Sequence, residues 1–215
     1  TANELHGTPG LIEQNEELQP EVIDTLELVL QHQAADWFSQ LTLFHSRWSD
    51  GITSVANGAA ATPFIFANLE KNRARGVTWD LNWRRDAWFL DLGFAWVKSD
   101  NHTLNVDYEA FPRYTIDAEL GYEHAPWRTR FSLIQHWQID VEDVFPPSAG
   151  IPAQDLSHYV RVDLGATHAL TDRFEVRLFV RNLLDRNNYR PSAAGSRGGI
   201  PEDSISAGAE VRVSF

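Results

Sequence analysis

Ser204 to Phe215 alternates without a miss between two kinds of side chain. Ile205, Ala207, Ala209, Val211, Val213 and Phe215 fall on one face, and Ser206, Gly208, Glu210, Arg212 and Ser214 on the other. The same period of two sets Trp88, Leu90, Leu92, Phe94 and Trp96 against Phe89, Asp91, Gly93, Ala95 and Val97. It also sets Phe174, Val176, Leu178 and Val180 against Glu175, Arg177, Phe179 and Arg181. Side chains that alternate in this way belong to a strand with one apolar face, and no window carries a helical stripe. The pattern predicts nine strands, at about 22–33, 36–48, 72–84, 87–99, 114–124, 127–139, 158–170, 173–182 and 204–215. Each is about 10–13 residues long, against the ~5–6 usual in globular sheets and the ~9–11 that a tilted strand needs to cross a bilayer.

The connections point the same way. Two-residue turns are predicted at Ala34-Ala35, Arg85-Asp86, Ala125-Pro126 and Thr171-Asp172. They alternate with long Gly-, Pro-, Asn- and Ser-rich connections at 49–71, 100–113, 140–157 and 183–203. Outer-membrane barrels sort their connections in this way, short on the periplasmic side and long outside. The fold class predicted is all-β: part of an antiparallel up-and-down transmembrane β-barrel. With the last strand ending at the periplasm, residues 1–21 form an extracellular loop and 22–215 the nine strands. Complete bacterial barrels have even strand numbers with both termini inside, so nine strands beginning outside predict one part of a larger wall.

Aromatic placement adds a third sign. Trp88 and Trp96, Trp127 and Trp137, and Tyr114 and Tyr122 each occupy one face near opposite ends of a predicted strand. Eight tilted residues cover roughly 20 Å, close to the ~25 Å apolar band of such barrels, and aromatic girdles flank that band. These six residues are the predicted girdle. In the second strand Leu41 and Leu43 share a face while Phe38 and Phe44 take the other, and Phe89 and Phe179 fall on the polar face.

Composition narrows the class further. Mean hydropathy is −0.34, with 43% apolar residues, eight Trp, five Tyr and twelve Phe; a barrel strand shows lipid only at every second residue, so modest hydropathy suits it. Absence of Cys removes disulfides, thiol catalysis and thiolate metal sites. The chain has no Met and opens with Thr1 rather than a charged and apolar leader, which reads as a mature piece or fragment. A net charge of −12 argues against nucleic acid, whose phosphates require Lys and Arg.

Several segments carry a family likeness. Asn15 to Glu21 reads NEELQPE, with Glu16 at a position where the box it resembles has Pro. Leu41 to Ile52 reads LTLFHSRWSDGI, and Asn72 to Leu81 reads NRARGVTWDL. Val180 to Tyr189 reads VRNLLDRNNY, and the chain closes on VRVSF. In this order the segments resemble the barrel of TonB-dependent outer-membrane receptors. Asn182, Leu183, Asp185, Tyr189 and the terminal Phe215 carry the signature near the C-terminus. The resemblance implies a whole protein of about 22 strands with a plugged lumen, an N-terminal plug domain and a TonB-contacting box, both outside this sequence. The partners it implies are the lipid bilayer and lipopolysaccharide, the plug and remaining barrel strands, TonB through that other part, and the barrel assembly machinery through the last strand. The location implied is the bacterial outer membrane. The function implied is active uptake of a scarce ligand, foremost a ferric siderophore, with haem, cobalamin or an oligosaccharide open.

Candidate chemistry is thin. No phosphate-cradling Gly-rich loop, nucleophile elbow or paired His at ligand spacing occurs, and the sequence calls for no catalytic residue, no metal site and no cofactor. His6 lies upstream of NEELQPE, where haem-uptake members of the resembled family place a ligating His, and it is the candidate ligand contact; the alternative is a solvated loop His. Asp140, Glu142, Asp143 and Asp155 read as a solvated cluster rather than a cation site. Asn182 and Asp185 are expected to bond backbone groups where strand gives way to loop. Charged residues predicted to face inward include Arg84, Arg128, Arg130, Asp117, Glu119, Arg161, Asp163, Arg177, Glu210 and Arg212. The rival readings are a porin-like or structural barrel without TonB coupling, and an outer-membrane enzyme.

Overall fold

The computed structural model describes residues 12–56, 64–102, 106–107, 112–143, 154–156, 158–191 and 199–214. Nine long strands follow in chain order: β1 (Val22–Gln33), β2 (Trp37–Ala56), β3 (Phe64–Arg85), β4 (Trp88–Asn101), β5 (Tyr114–His124), β6 (Thr129–Ile139), β7 (Tyr159–Ala169), β8 (Phe174–Arg181) and β9 (Ser206–Val213). Each lies beside its neighbour in sequence, in the order β9-β8-β7-β6-β5-β4-β3-β2-β1. The sheet is a simple meander whose two edges, β1 and β9, do not pair with each other among the described residues.

The chain divides into two compact units. The larger comprises Leu28–Leu43, Gly76–Val97 and Glu109–Phe215, and the smaller comprises Thr1–Glu27, Phe44–Arg75 and Lys98–Tyr108.

In the larger unit the pairing register is continuous. Trp88↔Tyr122 through Trp96↔Tyr114 join β4 to β5, Tyr114↔Ile139 through His124↔Thr129 join β5 to β6, and Tyr159↔Gln138 through His168↔Thr129 join β7 to β6. Leu164↔Val180 through Ala169↔Glu175 and Phe174↔Val213 through Arg181↔Ser206 complete the wall. Alternation carried through this register stacks like with like. Leu90, Leu120, Leu133, Leu164, Val180 and Ala207 form one row on the apolar face. Phe89, Gly121, Ser132, Gly165, Phe179 and Gly208 form the adjacent row on the other.

The distribution of burial is inverted relative to a soluble domain. Among the described residues the buried hydrophobics are Phe89, Val141, Leu156, Tyr159 and Val160, while Leu178 and Val211 are 55% and 68% exposed. Leu26, Leu28, Leu30, Trp88, Leu120, Phe131, Trp137 and Leu164 are exposed too. A water-soluble chain of this size buries most such side chains; here the large apolar groups cover the outside of a single wall. Among the described residues no helix is long and apolar enough to cross a membrane, and strands of this length need none.

Several boundaries depart from the sequence expectation. β2 and β3 run on to Ala56 and back from Phe64, so much of the expected loop 49–71 is strand. The outer parts of these strands carry Gly51, Thr53, Ser54 and Asn68, and lack the apolar alternation that marks their inner parts. Within residues 1–21, Ile12–Glu13 pairs in parallel with Phe64–Ile65. Asp100–Asn101 pairs with Val106–Asp107, and Glu142–Asp143 with Gln154–Asp155, so the loops 100–113 and 140–157 contain strand pairs. β9 starts at Ser206 and stops at Val213.

The turn expected at Ala125-Pro126 is a single 3-10 turn, Ala125–Trp127. Pro126 fits the start of such a turn, and Arg128 closes it at φ 50. Trp127 therefore stands in the turn and not on the strand, and Arg128 reaches Asp172 in the next turn at 2.7 Å instead of facing inward with the other charges. At the following hairpin the Thr171 hydroxyl accepts the Arg173 and Phe174 amides.

Candidate functional site

The polar face of the larger unit is a surface of paired charges over backbone. Arg130 donates to Glu119 at 2.8 Å, and the Ser132 hydroxyl donates to the same carboxylate at 2.7 Å. Asn82 donates to Asp91 at 2.7 Å with Arg84 3.9 Å from it, and His136 bonds Asp117. Closer to the hairpin turns, Arg177 lies 3.9 Å from Glu210 and Arg212 lies 3.6 Å from Glu175. Exposed pairs of this kind add little stability; their consequence is a wetted face of mixed charge. Asp80, Asn82, Asp91, Asp117, Glu119, Phe38 and Gln40 line an open groove of about 490 Å³ there. The groove puts Phe38 on the polar face, and the Ser39 hydroxyl accepts the Trp79 indole N–H at 2.8 Å on the other.

Two glycines on this face explain the inward aromatics. The ring of Phe89 lies over Gly121 of β5, and that of Phe179 over Gly208 of β9. Guanidinium groups flank both rings: Arg130 and Arg84 stand 4.1 and 5.1 Å from the Phe89 centroid, and Arg181 4.6 Å from that of Phe179.

Where β8 ends, the chain forms a knot instead of a strand. Asn182 and Asp185 both take left-handed backbone angles, φ 50 and φ 47, which Asn and Asp adopt more readily than other residues with a Cβ. The Asn182 amide N–H donates to Asp163 (2.9 Å). Its side chain donates to the Arg186 and Asp203 carbonyls (2.9 and 3.2 Å) and accepts the Arg186 amide (3.1 Å). Asp185 accepts the Ile205 amide at 3.0 Å just before β9, and Leu183 N–H donates to the Val162 carbonyl of β7 at 2.7 Å. Asn188 then takes the place of a strand residue. Its Oδ1 accepts the Val160 amide at 3.0 Å and its Nδ2 donates to the Val160 carbonyl at 2.9 Å. Tyr159 and Arg190 both bond Glu202, and Tyr189–Arg190 pairs with Ile200–Pro201.

The smaller unit holds a second junction, built on NEELQPE. Asn15 donates to the Phe66 carbonyl at 2.7 Å, and Glu21 accepts the Ile52 amide at 2.7 Å. Gln19 and Asn68 exchange two bonds of 2.8 Å, while Asn68 also donates to the Asp50 carbonyl at 2.6 Å.

Of the candidate residues, His6 and Phe215 lie outside those described. Trp88 pairs across the sheet with Tyr122, ring centroids 4.8 Å apart, and Trp96 pairs with Tyr114 eight residues further along. Trp137 pairs with Ile116 and Val160. Trp127 is 65% exposed, its ring 4.4 Å from that of His124. The side chains of Glu142, Asp143 and Asp155 lie outside those described. Asn188, Tyr159 and Glu202 were not singled out from sequence; the mark they carried was a cluster of amide and acidic side chains around the signature.

A single wall, apolar and exposed on one face, polar on the other, with long tilted-strand lengths and hairpins at one end, is the wall of a transmembrane β-barrel. A family model described as TonB dependent receptor-like, beta-barrel matches residues 1–183, and the chain belongs to that family. The iron-regulated outer membrane virulence protein of Vibrio cholerae serotype O1 is 26% identical over 195 residues, covering 84% of this chain and 30% of its own length. The vitamin B12 transporter BtuB of Photobacterium profundum is 26% identical over 184 residues, covering 80% and 28%. The ferrienterobactin receptor of Escherichia coli is 24% identical over 207 residues, covering 91% and 28%. The chain thus spans under a third of these relatives.

Among solved structures, the FrpB iron transporter of Neisseria meningitidis superposes with a TM-score of 0.80 at 14% identity, covering 95% of this chain and 33% of that one. The siderophore receptor PirA of Acinetobacter baumannii gives 0.78 at 17%, with the same coverages. These likenesses show the fold, a part of such a barrel that does not close on itself. The family is one of outer-membrane receptors and transporters.

Proposed function

We propose that this chain is the C-terminal part of the barrel of a receptor that imports a ferric siderophore across the outer membrane with energy delivered through TonB. In this reading the plug domain and the remaining barrel strands belong to the rest of the protein. The hairpins at 34–36, 86–87, 125–128 and 170–173 face the periplasm, and residues 1–21 and the longer connections face outside. Trp88, Tyr122 and Trp127 sit at the periplasmic edge of the apolar band, with Trp96, Tyr114 and Trp137 at the outer edge. Lipid and lipopolysaccharide bathe the apolar face, and the barrel assembly machinery reads the last strand.

The observation that carries the reading is the inversion of burial: a wall exposing Leu26, Leu28, Leu30, Leu164, Leu178 and Val211 on one face while its charges pair on the other has a place only in a bilayer. The choice of iron is supported by the relatives, two of the three named above being an iron-regulated protein and a ferrienterobactin receptor. The test deletes the gene of the full-length protein in its host. Growth should fail under iron limitation with the cognate siderophore as sole iron source, and uptake of radiolabelled ferric siderophore should vanish equally when TonB is inactivated. Unchanged iron uptake with lost cobalamin-dependent growth would overturn the substrate, and uptake independent of TonB would overturn the mechanism.

A further inference from the structure

Along β2, β3 and β4 the apolar face turns cationic at matched places. On the face where Ser39 bonds Trp79, Leu43 of β2 is followed at alternate positions by His45 and Arg47. On β3 the same face runs from Trp79 and Val77 to Arg75, Arg73 and Lys71, and on β4 from Trp96 to Lys98 and Asp100. Pairing gathers these residues. The His102 amide donates to the Lys71 carbonyl at 2.8 Å, which sets Asp100 across from Arg73 and Lys98 across from Arg75. On the other side of β3, Asn68 donates to the Asp50 carbonyl at 2.6 Å, which brings Arg47 alongside Lys71 and Arg73. Both of the chain's lysines and three of its arginines thus stand together in the smaller unit.

Their charge is not cancelled locally. Asp100 lies 3.6 Å from Lys98, and Arg47 donates to His45 at 3.3 Å. Asp24 of β1, whose neighbour Thr25 bonds Ser46 on the opposite face, is the other acid that alternation brings near. Arg75 is exposed and has no ion pair among the described residues, and the buried Nε of Arg73 has no hydrogen-bond partner there. The remaining strands end differently. Beyond the apolar face of β5 to β9 the next alternate positions hold Pro112, Val141, His158, Asn182 and Ile205, with no Lys or Arg.

General solvation does not confine cations to three neighbouring strands of a chain whose net charge is −12. On the outward face, just past the apolar residues, a side chain meets the charged surface of the membrane. With the long connections outside, that surface is the outer leaflet, and its lipopolysaccharide carries phosphates on the sugars that anchor its acyl chains. We propose that Arg73 and Arg75, with Arg47, Lys71 and Lys98 around them, hold the phosphate groups of one lipopolysaccharide molecule. A guanidinium meets phosphate oxygens through paired, charge-assisted hydrogen bonds, and the ammonium groups add point charges. The inference rests on the outer-membrane placement proposed above and is independent of the transported ligand.

The test uses the full-length receptor, folded in detergent, freed of lipid and titrated with purified lipid A, the bound complexes being read by native mass spectrometry. The wild type should take up one bisphosphorylated lipid A, and the phosphate-free form should bind about 30-fold more weakly. Arg73→Gln combined with Arg75→Gln should lose about as much, roughly 30-fold, whereas Lys at both positions should retain most of the affinity. Arg85→Gln with Arg173→Gln, at the hairpins, should change nothing, and phosphatidylglycerol should not compete. Equal binding of the two lipid A forms by the wild type would overturn the proposal without appeal to any variant. So would full affinity in the Gln double variant, or displacement by phosphatidylglycerol. The depth of Trp96, measured on the same protein with brominated lipids, separates the two levels: shallow quenching with binding indifferent to phosphate sinks the site and leaves the placement standing.

Discussion

The ring of Phe89 occupies the space that a side chain on Gly121 would need. A Cβ placed on Gly121 would stand 1.8 Å from the Phe89 Cζ, far inside any tolerable contact, and Phe89 itself is 2% exposed. Glycine within a strand loses packing and conformational entropy. An aromatic ring laid across from the neighbouring strand restores the lost cover and pins the register of the pair. Phe179 and Gly208 repeat the device between β8 and β9, where the added Cβ would meet the ring at 2.5 Å. The polar face thus contains large apolar side chains because they are partners of glycines.

Gly121→Ala should force Phe89 off its site and destabilise the barrel by about 1–3 kcal/mol, the usual effect of overpacking. Gly165→Ala is the control, since its Cβ would come only within 3.9 Å of Ser132, and it should be neutral. The measurement is the urea midpoint of the full-length protein in lipid vesicles. Adding Phe89→Ala to Gly121→Ala should recover part of the loss; strict additivity of the two changes would refute the steric coupling.

The inner parts of the strands were legible because lipid and water impose opposite demands on successive residues, and Trp88 to Trp96 records those demands directly. The outer parts of β2 and β3 were not, since Thr53, Ser54 and Asn68 interrupt the apolar alternation by which the inner parts are recognised. Trp127 was placed on a strand because it continues the period of β6, while Pro126 and the left-handed Arg128 take it into a turn. Phe89 looked misplaced because its partner, Gly121, is distant in sequence. Asn188 carried only the general mark of an amide-rich segment: a side chain that imitates a peptide group is recognisable once Val160 is seen beside it.

Asn188 tests how far a side chain can stand in for a strand. It is 3% exposed, and its amide satisfies both backbone groups of Val160. Asn188→Ala leaves a buried N–H and a buried carbonyl unmet, at about 1–3 kcal/mol for each. Asn188→Asp keeps the acceptor for the Val160 amide but sets a carboxylate against the Val160 carbonyl. Both variants should lower the urea midpoint in vesicles and reduce the yield of folded barrel, Asn188→Asp no less than Asn188→Ala. Protection of the Val160 amide from hydrogen exchange should fall with the midpoint.

Glu21 closes NEELQPE onto the segment ending in Ile52, and its effect should be local. Glu21→Ala removes the acceptor of the Ile52 amide, and Glu21→Gln retains a neutral one. Hydrogen exchange at Ile52 should accelerate markedly in the first variant and modestly in the second, since a bond to a charged acceptor is about twice as strong as a neutral one. The global midpoint should move by no more than about 1 kcal/mol, as expected for an exposed junction. Equal exchange in wild type and Glu21→Ala would show that the bond is not formed in the membrane.

The placement of the wall in the bilayer predicts the depth of individual rings. Trp88 against Tyr122 and Trp96 against Tyr114 stand eight residues apart on one strand, a separation of roughly 20 Å once tilt is included. Rings with a polar edge favour the interface. In vesicles of brominated lipids, the emission lost on Trp88→Phe or Trp96→Phe should belong to fluorescence quenched by bromines near the headgroup and spared by bromines near the chain ends. Leu92→Trp, midway between the two, should show the opposite dependence. If Trp88 and Trp96 are quenched best by the deep bromines, the aromatic pairs do not mark the two edges.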